Sequence, residues 1–423
     1  MSYISAIFAW LSGLSGMVLV PFIILILALC FGVKPSTAVR SALMVGAGIL
    51  AISTVSSMMI EYISPLGNAL IENTGIKNDI LDLSVAPVFG AVMQLPFFVF
   101  LYPIGLLINF AMLKLKWTKT INVDFLNLFA IILPALPIYL LTGNVIMTLV
   151  VSVLVYMFSL KMADWVAPMY QKYFDLEGVS IPHAFDTFNY VIYLAGNWVL
   201  DHIPGINKIN FSFKDSHAKL GIWGDASFLS FLVGTVLGLV AQMGFNGALS
   251  IGVALACVSF IFPKAVGIIM EGLSPVSEKM RDTMQKRFNI EGANIGMDSA
   301  ILAGYPEAVA TGAFAIPIVL LLYFFLPGMR IIPSGESLVL AATMGVALPL
   351  CGSREHKGNA FRALVLVAVK TTIGLYGAML IAPLATELAV ASGFAVEEGV
   401  LVTSSILGAW PSILVYYITK LFV

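Results

Sequence analysis

MEGLSPVSEKMRDTMQKRFNIEGANIGMDSAILAGYPEAVATG (270–312) leaves a long apolar run, crosses a basic linker and ends in a glycine-rich segment around Asp298. Its second half, 292–312, is too polar to face lipid, although apolar runs enclose the whole stretch. The motif at its start occurs twice in the chain. Met270-Glu271-Gly272-Leu273-Ser274-Pro275 lines up with Ile60-Glu61-Tyr62-Ile63-Ser64-Pro65, and each copy follows two long apolar runs. Each also precedes an irregular segment holding an aspartate, Asp82 in the first copy and Asp298 in the second. The linkers after the two motifs differ in charge. Residues 66–82 hold one basic residue, Lys77, whereas 276–291 hold Lys279, Arg281, Lys286 and Arg287. Basic loops stay on the cytoplasmic side, so the second linker is expected inside and the first outside. Lys34 with Arg40, and Lys114 with Lys116 and Lys119, mark further cytoplasmic loops. That pattern predicts an inverted-topology repeat, whose interface houses a transport site.

Composition says what surrounds the repeat. Of 423 residues, 60% are hydrophobic and 11% charged, with a mean hydropathy of +0.98. A soluble domain carries about twice that charge, and a soluble chain cannot hide so many apolar side chains from water. The bilayer is therefore the expected solvent. A formal net charge of −1 gives no electrostatic footprint for nucleic acid. Spans of about 20 apolar residues are expected near 5–31, 41–62, 98–113, 124–141, 144–161, 226–244, 248–269, 310–327, 336–352, 361–386 and 396–420. The N-terminal run has no basic residue before it and is expected to be a first span, not a removable leader. The predicted fold is an all-α polytopic membrane protein with about 10–12 transmembrane segments plus re-entrant hairpins, in one membrane-embedded domain. Repeat 1 is placed at about 1–161, a linking segment at 162–225 and repeat 2 at 226–423.

Three stretches depart from ordinary spans: DLSVAPVFGAVMQLPF (82–97), EGVSIPHAFDTFNYVIYLAGNWVL (177–200) and 292–312. Irregular backbone at membrane depth persists only where protein buries it or water lines it, so all three are expected to surround a cavity. The alternative is a set of surface loops. Inversion requires an odd number of crossings between the two linkers, so 177–200 is expected to enter and leave on one side.

Ionisable groups at that depth are costly and each marks a candidate site. Asp298 could accept two hydroxyl hydrogen bonds from a polyol, or cap a helix. His183 can donate and accept at once, and its rival role is a structural bond to a backbone carbonyl. Asp82 and Gln94 would face the second repeat across the pseudo-twofold axis. Glu61 and Glu271 suit caps or hairpin anchors better than ligands. Asn122, Asp124 and Asn127 open a span, with capping as the default role. Trp165, Trp198, Trp223 and Trp410 suit the interfacial belt. Cys30, Cys257 and Cys351 have no metal or disulfide spacing and are expected to pack in apolar surroundings. Cys351-Gly352-Ser353-Arg354 resembles a phosphate loop only superficially, because no α/β domain surrounds it. No P-loop, dinucleotide fingerprint, HExxH or nucleophile elbow occurs, so neither an enzyme nor a cofactor is expected.

Five stretches resemble a known family: DLEGVSIPHAF (175–185), IPGINKINFSFKDSHAKLG (203–221), KWTKTINVDFLNL (116–128), NIGMDSAIL (294–302) and EGLSPVSEKMR (271–281). They resemble, in order, the membrane-embedded C component of the galactitol-type bacterial phosphotransferase system, in the ascorbate–galactitol branch. The resemblance implies a homodimer in the bacterial inner membrane, with a scaffold and a mobile core that carries substrate by an elevator movement. It implies separate A and B components, the B component carrying a phosphoryl group on a cysteine of its own and passing it to a hydroxyl of the delivered sugar alcohol. By position it points to His183, Glu177, Asp124 and Asp298 as site or site-supporting residues. Ala184 replaces the glycine of the galactitol pattern, and the chain beyond about 386 matches weakly, so another hexitol or a pentitol also fits. The expected function is a sugar-alcohol permease, with an ion-coupled secondary carrier as the rival; a lipid-acting enzyme and a channel fit less well.

Overall fold

The computed structural model describes residues 16–74, 79–82, 88, 92, 95, 97–122, 124, 127–128, 130–209, 211–212, 226–288, 292–333, 344–352, 358–391, 396 and 401–423. The apolar runs among them become helices, because a helix satisfies its own backbone where no water can. The first half holds α1 (Gly16–Cys30), α2 (Pro35–Thr74), β1 (Ile80–Asp82), α3 (Phe98–Lys114), β2 (Thr120–Ile121), α4 (Leu136–Thr142), α5 (Val145–Phe174), β3 (Val179–Ser180) and α6 (Ala184–Asp201). The second holds α7 (Ala226–Val240), α8 (Gly244–Phe288), β4 (Asn294–Gly296), α9 (Pro306–Phe325), β5 (Ile331–Ile332), α10 (Ala360–Ala391), β6 (Leu401–Thr403) and α11 (Trp410–Lys420). Tight 3-10 turns lie at Ala130–Ala135, Ser299–Gly304 and Leu348–Leu350. The protein is thus mostly helical, with short strands that an all-α reading does not include.

Among the described residues, α5 and α10 are long and apolar enough to cross a bilayer. Large apolar side chains stand exposed along several helices, among them Leu43, Leu107, Ile146, Phe245 and Phe325. Helices presenting such side chains outward are solvated by lipid.

The strands form two three-stranded parallel sheets, in the orders β5-β1-β6 and β2-β4-β3. The central strand of each sheet comes from one half of the chain and both of its neighbours from the other. In the first sheet Asp79 and Ile80 donate to the Arg330 carbonyl, and Arg330 also pairs with the Asp79 carboxylate. In the second, Ile295 donates to the Gly178 carbonyl at 2.7 Å and Met297 to that of Ser180 at 2.9 Å. Helix α5 supports this sheet from below: Asp164 accepts from the Thr120 hydroxyl at 2.8 Å, and Gln171 donates to the Val179 carbonyl and to Asn294.

Both Ser-Pro motifs, expected at span ends, lie inside helices. Helices α2 and α8 run 40 and 45 residues straight through Pro65 and Pro275, about 60 and 68 Å at 1.5 Å per residue. A proline forfeits one ladder hydrogen bond, and close packing of the two helices compensates. They lie antiparallel, with Arg40 donating to Glu271 at 3.3 Å near one end and Asn73 donating to the Ala241 carbonyl at 2.7 Å near the other. Segment 177–200 also departs from expectation. It is a turn, a two-residue strand and one uninterrupted 18-residue helix, not a hairpin. That helix reaches about 27 Å, close to the hydrocarbon thickness. Within predicted span 124–141 residues Ala130–Ala135 form a 3-10 turn, and within 396–420 residues Leu401–Thr403 form a strand.

The three basic clusters gather at one end of the molecule. Arg40 meets Glu271, Thr283 donates to the Phe31 carbonyl, and Asn294 donates to the carbonyl of Lys119. Val33, Leu113, Ile121, Val276 and Ala293 share a small apolar cluster there. The second sheet therefore starts from the basic end. Of the cysteines, Cys351 is buried as expected, whereas Cys30 is exposed.

Candidate functional site

Parallel strands send their carboxyl ends the same way, and loops at that edge are the usual place for a ligand. From the second sheet three polar segments leave together. Strand β2 leads to Asn122 and Asp124, β3 to Pro182 and His183, and β4 to Asp298. Gly296, paired with Ser180, lets them approach: a Cβ there would lie 2.8 Å from Pro182 Cγ and 3.1 Å from Asn122 Cβ. The Tyr190 hydroxyl donates to the Ile181 carbonyl at 2.8 Å and holds the turn that delivers His183.

His183 stands at the N-cap of α6, where its carbonyl accepts from Asp186 and Thr187, while its ring makes no capping bond. The imidazole sits between two carboxylates. Its Nδ1 is 3.2 Å from Asp186 Oδ2, outside hydrogen-bond geometry, and its Nε2 is 3.8 Å from Asp298 Oδ2. Asp298 immediately precedes the Ser299–Gly304 turn, the position of the predicted cap. Asp124 lies close enough for its charge to act on His183. Its Oδ1 accepts from the Asn127 backbone at 3.1 Å, so the capping role is present as well. Beneath it, Asn109 donates to the Thr120 carbonyl and accepts from the Asn122 backbone, while Asn127 donates to the Asn122 side chain. Asn122 Nδ2 and Asn127 Oδ1 are buried without a partner, a donor and an acceptor beside the carboxylates.

Three of the six candidate residues thus come together: His183, Asp298 and Asp124. Glu177 does not join them. It is exposed in the turn before β3, at the opposite end of that strand from His183. Asp82 belongs to the other sheet, where it is buried at the end of β1 and accepts from the Tyr323 hydroxyl at 3.0 Å. Gln94 lies outside the described residues. Asp186 carries a role that the sequence reading passed over, although its spacing, three after His183 at a helix start, places the two side chains together.

A cavity opens beside this cluster, lined by Phe185 and Asn189 of α6, Tyr323 of α9, Lys370 and Thr371 of α10, and Trp410 of α11. Phe185 meets His183 edge-on, with ring centroids 6.5 Å apart, and Tyr323 ties the opposite wall to Asp82. None of the six candidates lines this cavity. Trp410 is not an interfacial residue: it packs on Phe188 and donates to that residue's carbonyl at 3.0 Å. Trp165 and Trp198 are exposed, as a membrane belt requires.

Helices with exposed apolar faces around ordered polar segments fit a membrane protein. The chain belongs to the EIIC-GAT family, the sugar-specific permease component of the phosphotransferase system, whose profile matches residues 12–399. It is 28% identical over 407 residues to the galactitol-specific EIIC component of the phosphotransferase system of Escherichia coli (strain K12), covering 96% of this chain and 89% of that one. The same figures hold for the galactitol-specific EIIC component of Escherichia coli O157:H7. A further Escherichia coli (strain K12) protein, provisionally named a permease IIC component, is 30% identical over 387 residues, covering 92% of this chain and 87% of that one. The resemblance seen in the sequence is therefore confirmed at the level of the family.

Proposed function

We propose that the protein carries a neutral sugar alcohol, a hexitol or pentitol, across the bacterial inner membrane by alternating access. A separate B component, fed by an A component, phosphorylates the solute on the cytoplasmic side. The observation that carries this reading is the imidazole of His183 held between Asp186 and Asp298 at the carboxyl ends of strands from both halves of the chain. Such a set offers several acceptors and one group able to donate and accept, which suits vicinal hydroxyls. Asp124, Asp186 and Asp298 around one His disfavour an anionic solute, because a further negative charge would be repelled where little water screens it.

Two inverted repeats, α1–α6 and α7–α11, are supported by a shared order of helix pair, strand, helix, strand, helix, strand and helix, into which the first half inserts one short further helix, α4. On this reading the first repeat extends to Asp201 and takes in residues 162–201 of the linking segment. An elevator movement of a core that includes both sheets, in a homodimer, follows from this reading. Sidedness follows from the basic end, which would face the cytoplasm and the B component.

The test is polyol binding by purified protein, followed by uptake into proteoliposomes. A charge-assisted hydrogen bond contributes about 1.5–3 kcal/mol, so His183→Ala and Asp298→Asn should each weaken binding at least about tenfold with membrane insertion intact. Wild-type affinity in both variants would remove the cluster from the site. Uptake driven by a cation gradient without the B component would establish the ion-coupled rival instead.

A further inference from the structure

Lys370 is an ionisable residue that the site just described does not use. It lies eleven positions into the apolar, 32-residue helix α10, where an ammonium group is costly unless it serves a purpose. Among the described residues its Nζ makes no hydrogen bond or ion pair; it stands over the Phe185 ring, 5.5 Å from the centroid, with the charge of Asp186 within its reach. It lines the cavity beside His183, with Asn189 and Tyr323. A second observation points the same way. The neighbouring Thr371 lines the same cavity, is 7% exposed, and its Oγ1 has no hydrogen-bond partner. A donor cation and an unsatisfied hydroxyl thus share a pocket walled by Phe185, Tyr323 and Trp410, an environment suited to a hydroxyl-bearing carbon chain.

We infer that Lys370 and Thr371 form the far half of the solute site, binding the terminal hydroxyls of a polyol whose other end reaches His183. The inference rests on the proposed sugar-alcohol reading and extends it to a second wall. The span is compatible. The Phe185 centroid is 6.5 Å from that of His183 and 5.5 Å from Lys370 Nζ. The two polar groups are thus no more than the sum of those distances apart. A five- or six-carbon chain with a hydrogen bond of about 2.8 Å at each end bridges such a gap. The aromatic faces would cover its carbon–hydrogen edges, while Lys370 would donate to oxygens that Asp298 and Asp186 cannot serve, since carboxylates only accept.

Full-length protein in detergent would be titrated with a hexitol and pentitol panel, including galactitol. The tightest binder and its terminal-deoxy analogue would then be compared on wild type, Lys370→Met, Thr371→Val and His183→Ala, with Trp410 fluorescence as a local reporter and Trp410→Phe as its blank. In wild type the deoxy analogue should bind about tenfold or more weakly than the parent polyol. In Lys370→Met the parent polyol should lose a similar factor and the two ligands should become nearly equal, because the missing hydroxyl and the missing ammonium belong to one contact. Thr371→Val, which removes an unpaired hydroxyl without changing size, should weaken the parent several-fold and leave thermal stability unchanged. Full affinity in both variants overturns the inference, as does an equal loss for parent and analogue in Lys370→Met. If His183→Ala abolishes binding while Lys370→Met does not, this inference alone fails. If no polyol binds the wild type, the carrier reading fails with it.

Discussion

Gly296→Ala tests whether the site depends on how tightly three strands approach. An ideal Cβ at this position would fall 2.8 Å from Pro182 Cγ, 3.1 Å from Asn122 Cβ and 3.1 Å from the Ile121 carbonyl oxygen. Ordinary carbon contacts begin near 3.5 Å, so these neighbours must retreat by about 0.4–0.7 Å. They cannot do so independently of the site. Pro182 precedes His183 in the chain, and Asn122 accepts from the Asp124 backbone at 3.3 Å. Overpacking of this size costs about 1–3 kcal/mol. If most of that cost falls on the geometry of His183 and Asp124, polyol affinity should drop roughly five- to hundredfold, with the helices intact. Gly267→Ala is the matched control, because no heavy atom lies within 4 Å of its Cβ position, and it should bind as wild type. Titration calorimetry in detergent reads both. Affinity within twofold of wild type for Gly296→Ala would refute the claim that the strand ends position the site.

Two further changes probe the frame. Arg362 is 1% exposed and donates to Asp201 at 2.6 Å, to Asn197 at 3.1 Å and to the Asn207 carbonyl, locking the start of α10 to the end of α6. The Asp201 side chain is 41% exposed, so water can take it back when the arginine is lost. Asp201→Ala instead leaves a buried guanidinium with only the neutral acceptors of Asn197 and Asn207 and no counter-charge, and should cost about 3 kcal/mol, clearly more than Arg362→Met; the reverse order of thermal midpoints would contradict this asymmetry. Asn144 caps α5 by accepting from the Met147 backbone at 3.0 Å, so Asn144→Ala should cost about 1 kcal/mol with no change in polyol affinity, and a binding defect would show that α5 transmits strain to the second sheet.

Much of this architecture was legible in the sequence because the bilayer makes hydropathy a strong signal. Helices α3, α9 and α10 fall close to their predicted spans, and the polar segment around Asp298 lies beside His183. The strands were not legible. Thr120–Ile121 and Val179–Ser180 are too short for any period-2 pattern, and their pairing with residues 294–296 has no local signature. Helix continuity through Pro65 and Pro275 was likewise hidden, because it depends on a partner helix more than 200 positions away in the chain. Glu177 was drawn into the candidate site by its place in a motif, and it faces away because the two-residue strand β3 separates it from His183. Lys370 escaped notice for the opposite reason: a single lysine barely lowers the hydropathy of a 32-residue span, and only packing shows which way it faces.

Strands are an unusual choice at membrane depth, since a strand cannot satisfy its own backbone and an unpaired one is costly in hydrocarbon. Here each irregular segment finds its partners in the opposite half of the chain: β1 lies between β5 and β6, and β4 between β2 and β3. Neither half could bury its polar segments alone, so folding of the two halves is coupled through the sheets. His183, Asp124 and Asp298 all lie within three positions of a strand end, and their placement is therefore inherited from that exchange. A rigid sheet edge keeps these groups in register if the segments move together, as an elevator carrier requires. Side chains on separate flexible loops would lose that register with each step.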